Sequence, residues 1–180
     1  MAEQTEYYVQ IASTAFDDAS SNSYAGISDK TTYSFTTADE TVPTIAITSG
    51  ASSLKAGETT TVTFTLSEEA SDFIEGDISV SGGSLSSFSG SGTTYTATFT
   101  PTADSTTNGV ISVASSKFSD SAGNENADGS DSNNTLTLSV DTVRPTIAIT
   151  SGASSLKAGE TTTVTFTLSE AATDLSLIHI

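Results

Sequence analysis

PTIAITSGASSLKAGETTTVTFTLSE fills residues 43–68, and the same 26 residues return unchanged at 145–170, an offset of 102. Within TTTVTFTLS, Val62, Phe64 and Leu66 fall on one face of an extended chain and Thr61, Thr63 and Thr65 on the other. This period of two marks a strand buried on one side. Ile45 and Ile47 alternate in the same way. Outside the quoted stretch the rhythm continues at Ile78 and Val80, at Tyr95, Ala97 and Phe99, at Ile111 and Val113, and at Leu136, Leu138 and Val140. Leu85 and Phe88 mark a weaker strand. Turn-rich segments such as SGASSLKAGE and SGSG separate these runs, and no run of ten residues has a helical pattern. Between Pro43 and Asp141 the pattern predicts seven short strands. The expected fold is all-β, an immunoglobulin-like β-sandwich, which typically places seven strands in about 100 residues.

The 102-residue offset reaches beyond the identical stretch. AFDDASSNSYAG resembles KFSDSAGNENADG, with Phe16 and Phe118 again 102 apart. Tyr33 and Phe35 correspond to Leu136 and Leu138 after a one-residue shift. Residues 1–39 therefore read as the last two strands of a preceding domain, 40–141 as one complete domain, and 142–180 as the first two strands of the next. The end departs from the repeat: after SEAATD the chain reads LSLIHI, where the first copy continues FIEGDISV. His179, the only histidine, lies in that ending and is assigned no role.

Composition excludes several functions. Twenty-two acids stand against five bases, a net charge of −17, the wrong sign for binding nucleic acid. No cysteine is present, so there is neither a disulfide scaffold nor thiol chemistry. No apolar run is long enough to insert in a membrane. MAEQTEYYVQ is acidic and strand-like rather than a leader peptide, so any export signal lies outside this segment. Enzyme signatures are missing too: no usable histidine, no phosphate-cradling glycine loop and no G-x-S-x-G elbow. Glu68 and Glu69 are adjacent, but a working carboxylate pair needs an apolar pocket to raise one pKa. Asn133-Asn134-Thr135 is formally a glycosylation sequon and is given no weight.

The acids are unevenly placed. Residues 40–141 carry 13 acids and two bases, a net of −11. A sandwich of this class brings the entry to its first strand, the end of its second and the loop between its last two to one tip. Asp39 lies in the first of these segments and Glu68, Glu69 and Asp72 in the second. Asp120, Asn124, Asn126, Asp128 and Asp131 lie in the third. Converging carboxylates repel, and a hard cation with oxygen ligands, calcium above all, relieves that repulsion. Asn124, Asn126, Asp128 and Gly129 spell N-x-N-x-D-G, half of an EF-hand spacing, with Asn at position 1 and Thr135 at position 12. The competing reading is a solvated acidic loop whose Asp, Asn and Gly residues serve its turns.

GDISVSGGSLSSFS, YTATFTPTADSTTNGVISV, FSDSAGN and VDTVRPTIAI, in that order, resemble the bacterial Ig-like repeats of large surface adhesins and biofilm-associated proteins. The N-terminal pattern YYVQIA…AFDD…N…Y…FTT is similar to the end of another bacterial Ig-like type. The resemblance implies export to the extracellular space or cell surface, and tandem arrays in which neighbouring repeats of one chain are the partners. It also implies calcium at the junctions. The family's linker aspartate falls on Asp39 and Asp141, each four residues before a proline. The expected sites are thus Asp39 with Glu68 and the loop Asp120–Asp128, and Asp141 with Glu170, helped by Asp104. The function so implied is a spacer module of an adhesive surface protein. The alternatives are a module binding a glycan or host protein, with Tyr24, Phe73 and Phe88 as its surface aromatics, or an accessory domain of a secreted enzyme.

Overall fold

The computed structural model describes residues 2–128, 131–172 and 176; Gly129 and His179 lie outside them. The strands are β1 (Glu6–Tyr8), β2 (Ser34–Thr36), β3 (Ile45–Ser49), β4 (Ser53–Lys55), β5 (Thr60–Leu66) and β6 (Ile78–Ser81). They continue as β7 (Gly83–Ser91), β8 (Thr94–Pro101), β9 (Gly109–Val113), β10 (Thr135–Asp141), β11 (Ile147–Ser151) and β12 (Val164–Leu168). β3 to β10 form two four-stranded sheets, ordered β3-β5-β8-β7 and β4-β10-β9-β6. The immunoglobulin-like sandwich is therefore present, with one strand more than the seven expected.

The additional strand is β4, inside the segment that reads as a turn. It pairs parallel to β10, with Val140 opposite Leu54, and Leu54 is buried at 4% exposure. One apolar residue flanked by Ser53 and Lys55 carries no alternation, so local sequence cannot reveal it. Its partner lies more than 80 residues ahead. The effect is that the chain begins in one sheet and crosses to the other before β5.

Alternation holds where it was read. Phe64 and Phe99 are fully buried, and Val62, Leu66, Ile111 and Leu138 join them in one core. β5 pairs with β8 so that Phe64 faces Tyr95. The Phe99 ring fits because two glycines make room from opposite sheets. A Cβ on Gly83 or on Gly109 would stand 2.5 Å from the ring tip. In β7 a register shift between Ser86 and Ser89 inserts an extra residue. This bulge turns Leu85 and Phe88, three apart, to the same face. Phe73, expected at the surface, is 3% exposed. It meets Phe64, Tyr95 and Phe118 edge-on, with ring centroids 5.8, 5.2 and 5.2 Å away.

The repeated 26 residues show what packing adds to local structure. β11 and β12 pair in the same register as β3 and β5, with Ile149 opposite Phe166 just as Ile47 faces Phe64. Turn bonds recur as well: Glu58 N–H to Lys55 C=O and Glu160 N–H to Lys157 C=O, both at 3.0 Å. Burial differs sharply. Phe64 is 0% exposed and Phe166 36%; Ile47 is 6% exposed and Ile149 61%. At the N-terminus, β1 and β2 form an antiparallel pair in which Tyr7 stacks on Phe35 at 5.7 Å.

The same substitution should therefore have two outcomes. Phe64→Ala should cost roughly 3–5 kcal/mol as a large-to-small core change, and a loss below about 1 kcal/mol would mean the strand face is reversed. Phe166→Ala should stay within about 0.5 kcal/mol. Urea denaturation of the whole chain, followed by far-ultraviolet circular dichroism, measures both.

Candidate functional site

Three segments meet at one tip of the sandwich: the stretch entering β3, the residues after β5, and the loop between β9 and β10. Backbone bonds hold them together. Ser67 N–H donates to Thr44 C=O and Ala127 N–H to Pro43 C=O, both at 3.0 Å. Ala70 and Asp120 form an isolated antiparallel bridge. Here Asp39, Glu68 and Asp120 each place one carboxylate oxygen within 4.8 Å of the others.

Asp120 is 8% exposed, and both its oxygens accept hydrogen bonds, Oδ2 only one, which leaves that oxygen able to meet a cation. Its Oδ1 accepts the N–H groups of Ala122 at 2.8 Å and Asn124 at 2.9 Å, and its Oδ2 accepts Asn124 Nδ2 at 2.9 Å. The Asn124 side chain, followed by these backbone donors, holds the Asp120 carboxyl below its ordinary range against the pull of burial. Asn124 Nδ2 also donates to Asp39 C=O at 3.2 Å, tying the loop to the linker. Asp39 Oδ1 accepts Thr41 N–H at 3.1 Å, and Gln4 donates to its Oδ2.

Glu68 bears the strain of the cluster. Desolvation first, then repulsion from Asp39, Asp120 and Glu3, push its carboxyl above the ordinary range, and a hydrogen bond with Asp120 adds to the shift. Glu3 was not foreseen, because it lies outside the repeat and no spacing marks it. It accepts the Thr41 hydroxyl at 2.7 Å and lines a cleft of about 370 Å³ with Gln4, Asp39 and Glu68.

The remaining expected ligands have other duties. Asn126 is fully buried. Its Oδ1 accepts Lys117 N–H at 2.7 Å and Phe118 N–H at 3.1 Å, and its Nδ2 donates to Ala114 C=O at 3.0 Å. It anchors the loop and has no side-chain atom left for a metal. Asp128 Oδ1 accepts Ile45 N–H at 2.7 Å, holding the start of β3. Its Oδ2 is buried without a partner among the described residues. Asp72 accepts the Ser119 N–H at 3.0 Å and hydroxyl at 2.6 Å. Burial pushes the Asp72 carboxyl up, but the Ser119 bonds outweigh it and leave it low. Glu69 and Asp131 are exposed.

The second expected site is not assembled. Asp141 Oδ1 accepts Val143 N–H at 3.2 Å, copying the turn at Asp39. However, Asp141 sits opposite Lys55 in β4, and Glu170 is exposed. Asp104 shares a cleft with Arg144 and Thr142, where a cation is unwelcome. Among the described residues, the one group in which three carboxylates converge is Asp39, Glu68 and Asp120.

The N-terminal segment repeats one element of this tip. Asp18 Oδ1 accepts Ser20 N–H and Asn22 N–H, and Asn22 Nδ2 donates to Asp18 Oδ2, all at 2.8 Å. This is the Asp120–Asn124 loop repeated 102 residues earlier. The AFDDASSNSYAG resemblance held the signal.

Two four-stranded sheets enclosing one core, with the first strand crossing between them, define an immunoglobulin-like sandwich module. The chain belongs to the bacterial Ig-like domain family, whose model matches residues 39–137 and again 141–180, well over half of its length. The second match begins at Asp141, so the family model follows the same repeat that the sequence spells. No curated protein and no solved structure gives a significant match. Modules of this family are structural, typically non-catalytic and often extracellular. No helix among the described residues is long and apolar enough to cross a membrane.

Two outcomes are expected. Asn126→Ala should destabilise the fold by on the order of 2 kcal/mol, since it strands the buried N–H of Phe118 and the part-buried N–H of Lys117; equilibrium denaturation checks this. For Glu68 a raised carboxyl means that the folded chain holds the proton more tightly than the unfolded one. The ionised form therefore costs stability as pH rises through the raised value, which lies above 4.5. In chelator at about pH 7, Glu68→Gln should raise the melting temperature, and the gain should vanish toward about pH 4 as the parent Glu68 protonates.

Proposed function

We propose that the chain is a structural and adhesive segment of a large secreted or cell-surface bacterial protein. Its immunoglobulin-like modules act as spacers, and calcium stiffens the junction ahead of the complete module. In this reading residues 40–141 are that complete module, and residues 1–39 and 142–180 belong to its neighbours. The calcium assignment rests on the convergence of Asp39, Glu68 and Asp120. Calcium takes oxygens at 2.3–2.6 Å, so two ligands of one ion stand no more than about 5 Å apart. Three carboxylate oxygens within 4.8 Å of one another fit that requirement. Asp39 precedes the module while Glu68 and Asp120 belong to it, so an ion held by all three would fix the linker against the tip. Asn124 orients Asp120 and the linker carbonyl for that purpose.

The alternative, a glycan- or protein-binding module, asks for exposed aromatic rings. Of the three rings named for it, Phe73 is buried, Phe88 packs against the core, stacked on Tyr95 at 5.7 Å, and Tyr24 is half-buried and stacked on Phe16 at 4.6 Å. These positions favour the spacer.

Thermal melts in calcium, in chelator, and in chelator with added sodium chloride test the proposal. An ion that binds only the folded state stabilises by about 2.7 kcal/mol at a hundredfold excess over Kd, a rise in Tm of roughly 10 °C or more for a module of this size. Sodium is the control because it also screens repulsion. Asp39→Asn combined with Asp120→Asn should abolish the calcium response. A parent that gains no more from calcium than from sodium, or a double variant that still responds, would reduce the cluster to a solvated surface. Amide exchange should show protection concentrated in 40–141; equal protection in both flanks would move the boundaries.

A further inference from the structure

We propose that a threonine latch closes the C-terminal end of each module and fixes the exit of the chain without a cation: Thr142 in the complete module, and Thr37 in the segment before it. Thr142 directly follows β10 and is 4% exposed. Its Oγ1 donates to Thr102 C=O at 2.7 Å and accepts Ser105 N–H at 2.9 Å, and its own N–H donates to Ser105 C=O at 2.9 Å. The hydroxyl thus uses its one donor and an acceptor lone pair on the loop between β8 and β9. Thr37 directly follows β2. Its Oγ1 donates to Ala2 C=O at 2.7 Å and accepts Thr5 N–H at 3.0 Å, and its N–H donates to Thr5 C=O at 3.1 Å. The backbone agrees as well. The third residue of each four-residue loop is left-handed, Asp104 at φ 51° and Gln4 at φ 49°.

Copying does not account for this match. The two loops lie 100 residues apart and the two threonines 105, neither of which is the 102 of the repeat. Thr102–Ser105 and Ala2–Thr5 also share no residue at equivalent positions. One arrangement built twice from different sequence marks a requirement of the position, and what the position controls is the exit of the chain. Beyond the latch, five residues (38–42) separate Thr37 from Pro43, and two (143 and 144) separate Thr142 from Pro145. At no more than ~3.6 Å per residue, the two spans reach at most ~22 Å and ~11 Å. Their contents differ too. Asp39 lies beyond its latch and meets the acids of the following tip, whereas Asp141 lies before its latch, inside β10. The first junction has slack that a cation can take up; the second is short and tied to the module behind it by Thr142. The latch stands whether or not the first junction takes calcium.

Amide exchange of the whole chain in chelator, read by nuclear magnetic resonance, tests the latch at Ser105 and Thr5, whose N–H groups donate to the two latch hydroxyls. Both should be protected, and added calcium should leave Ser105 unchanged. Thr142→Val keeps the side-chain shape and removes the hydroxyl. Ser105 should then exchange at least about tenfold faster, while the amides of β5 and β8 keep their rates. Thr142→Ser returns the hydroxyl and should return the protection. Thr37→Val should free Thr5 and leave Ser105 alone. Backbone nitrogen relaxation should show Val143 and Arg144 ordered in chelator and loosened by Thr142→Val. The proposal is overturned by Ser105 protection that requires calcium, or by a Thr142→Val chain that exchanges like the parent. A loss shared equally by β5 and β8, a Thr142→Ser chain that behaves like Thr142→Val, or a Thr5 unmoved by Thr37→Val would overturn it as well.

Discussion

A two-stranded hairpin cannot dry its own apolar face. Val62, Phe64 and Leu66 leave water because β8 lies beside them and the second sheet lies across from them. Their counterparts at Val164, Phe166 and Leu168 have the same pairing and the same turns but lack that cover. Local bonds therefore set the hairpin's shape, and inter-sheet packing supplies the stability that an isolated pair lacks. The tip depends on the same packing. Phe73 adjoins Asp72, Phe118 stands two residues before Asp120, and the Tyr95 hydroxyl donates to Ala70 C=O at 2.7 Å. Seating these rings closes the core and holds the segments that carry the acids at the tip.

Placing many carboxylates at a closed tip is tolerable because most are satisfied individually. Asp120 and Asp72 each accept several short hydrogen bonds and are held in the charged form. The Glu68 carboxyl is raised, by desolvation and by its neighbours' charge. A cation meeting Glu68 would find the other two oxygens already positioned, so little ordering remains to oppose binding.

Strand positions were legible because period-two alternation reports burial directly, and Phe64, Tyr95 and Phe99 all point where it says. Elements whose cause is non-local were not. β4 depends on a parallel partner in β10, and the inward turn of Phe88 depends on a bulge between two serines. Phe73 follows an acidic loop, and no periodicity marks it as core. At the tip, residue type and topology sufficed to bring together Asp39, Glu68 and Asp120. They could not separate ligand-like acids from structural ones, since Asn126 and Asp128 have the same composition signal and differ only in which backbone groups they meet. Glu3 carried no signal at all.

The 102-residue offset repeats more than strands. It repeats the Asp18–Asn22 and Asp120–Asn124 loops, the Asp39 and Asp141 turns before proline, and Glu68 and Glu170 at the hairpin ends. The three converging acids are thus contributed by three separate pieces of the repeat, and the loop aspartate arrives some fifty residues after the hairpin glutamate. Asp141 and Glu170 illustrate the dependence: with linker and hairpin in place but no loop aspartate beside them, no third carboxylate converges there among the described residues. The cluster exists only where the sandwich behind it has closed, so its electrostatics are coupled to completion of the module. The repeated hairpin at 145–170 brings its own linker aspartate and its own glutamate, and the third acid of such a tip comes from a loop far along the sequence, as Asp120 does for Asp39 and Glu68.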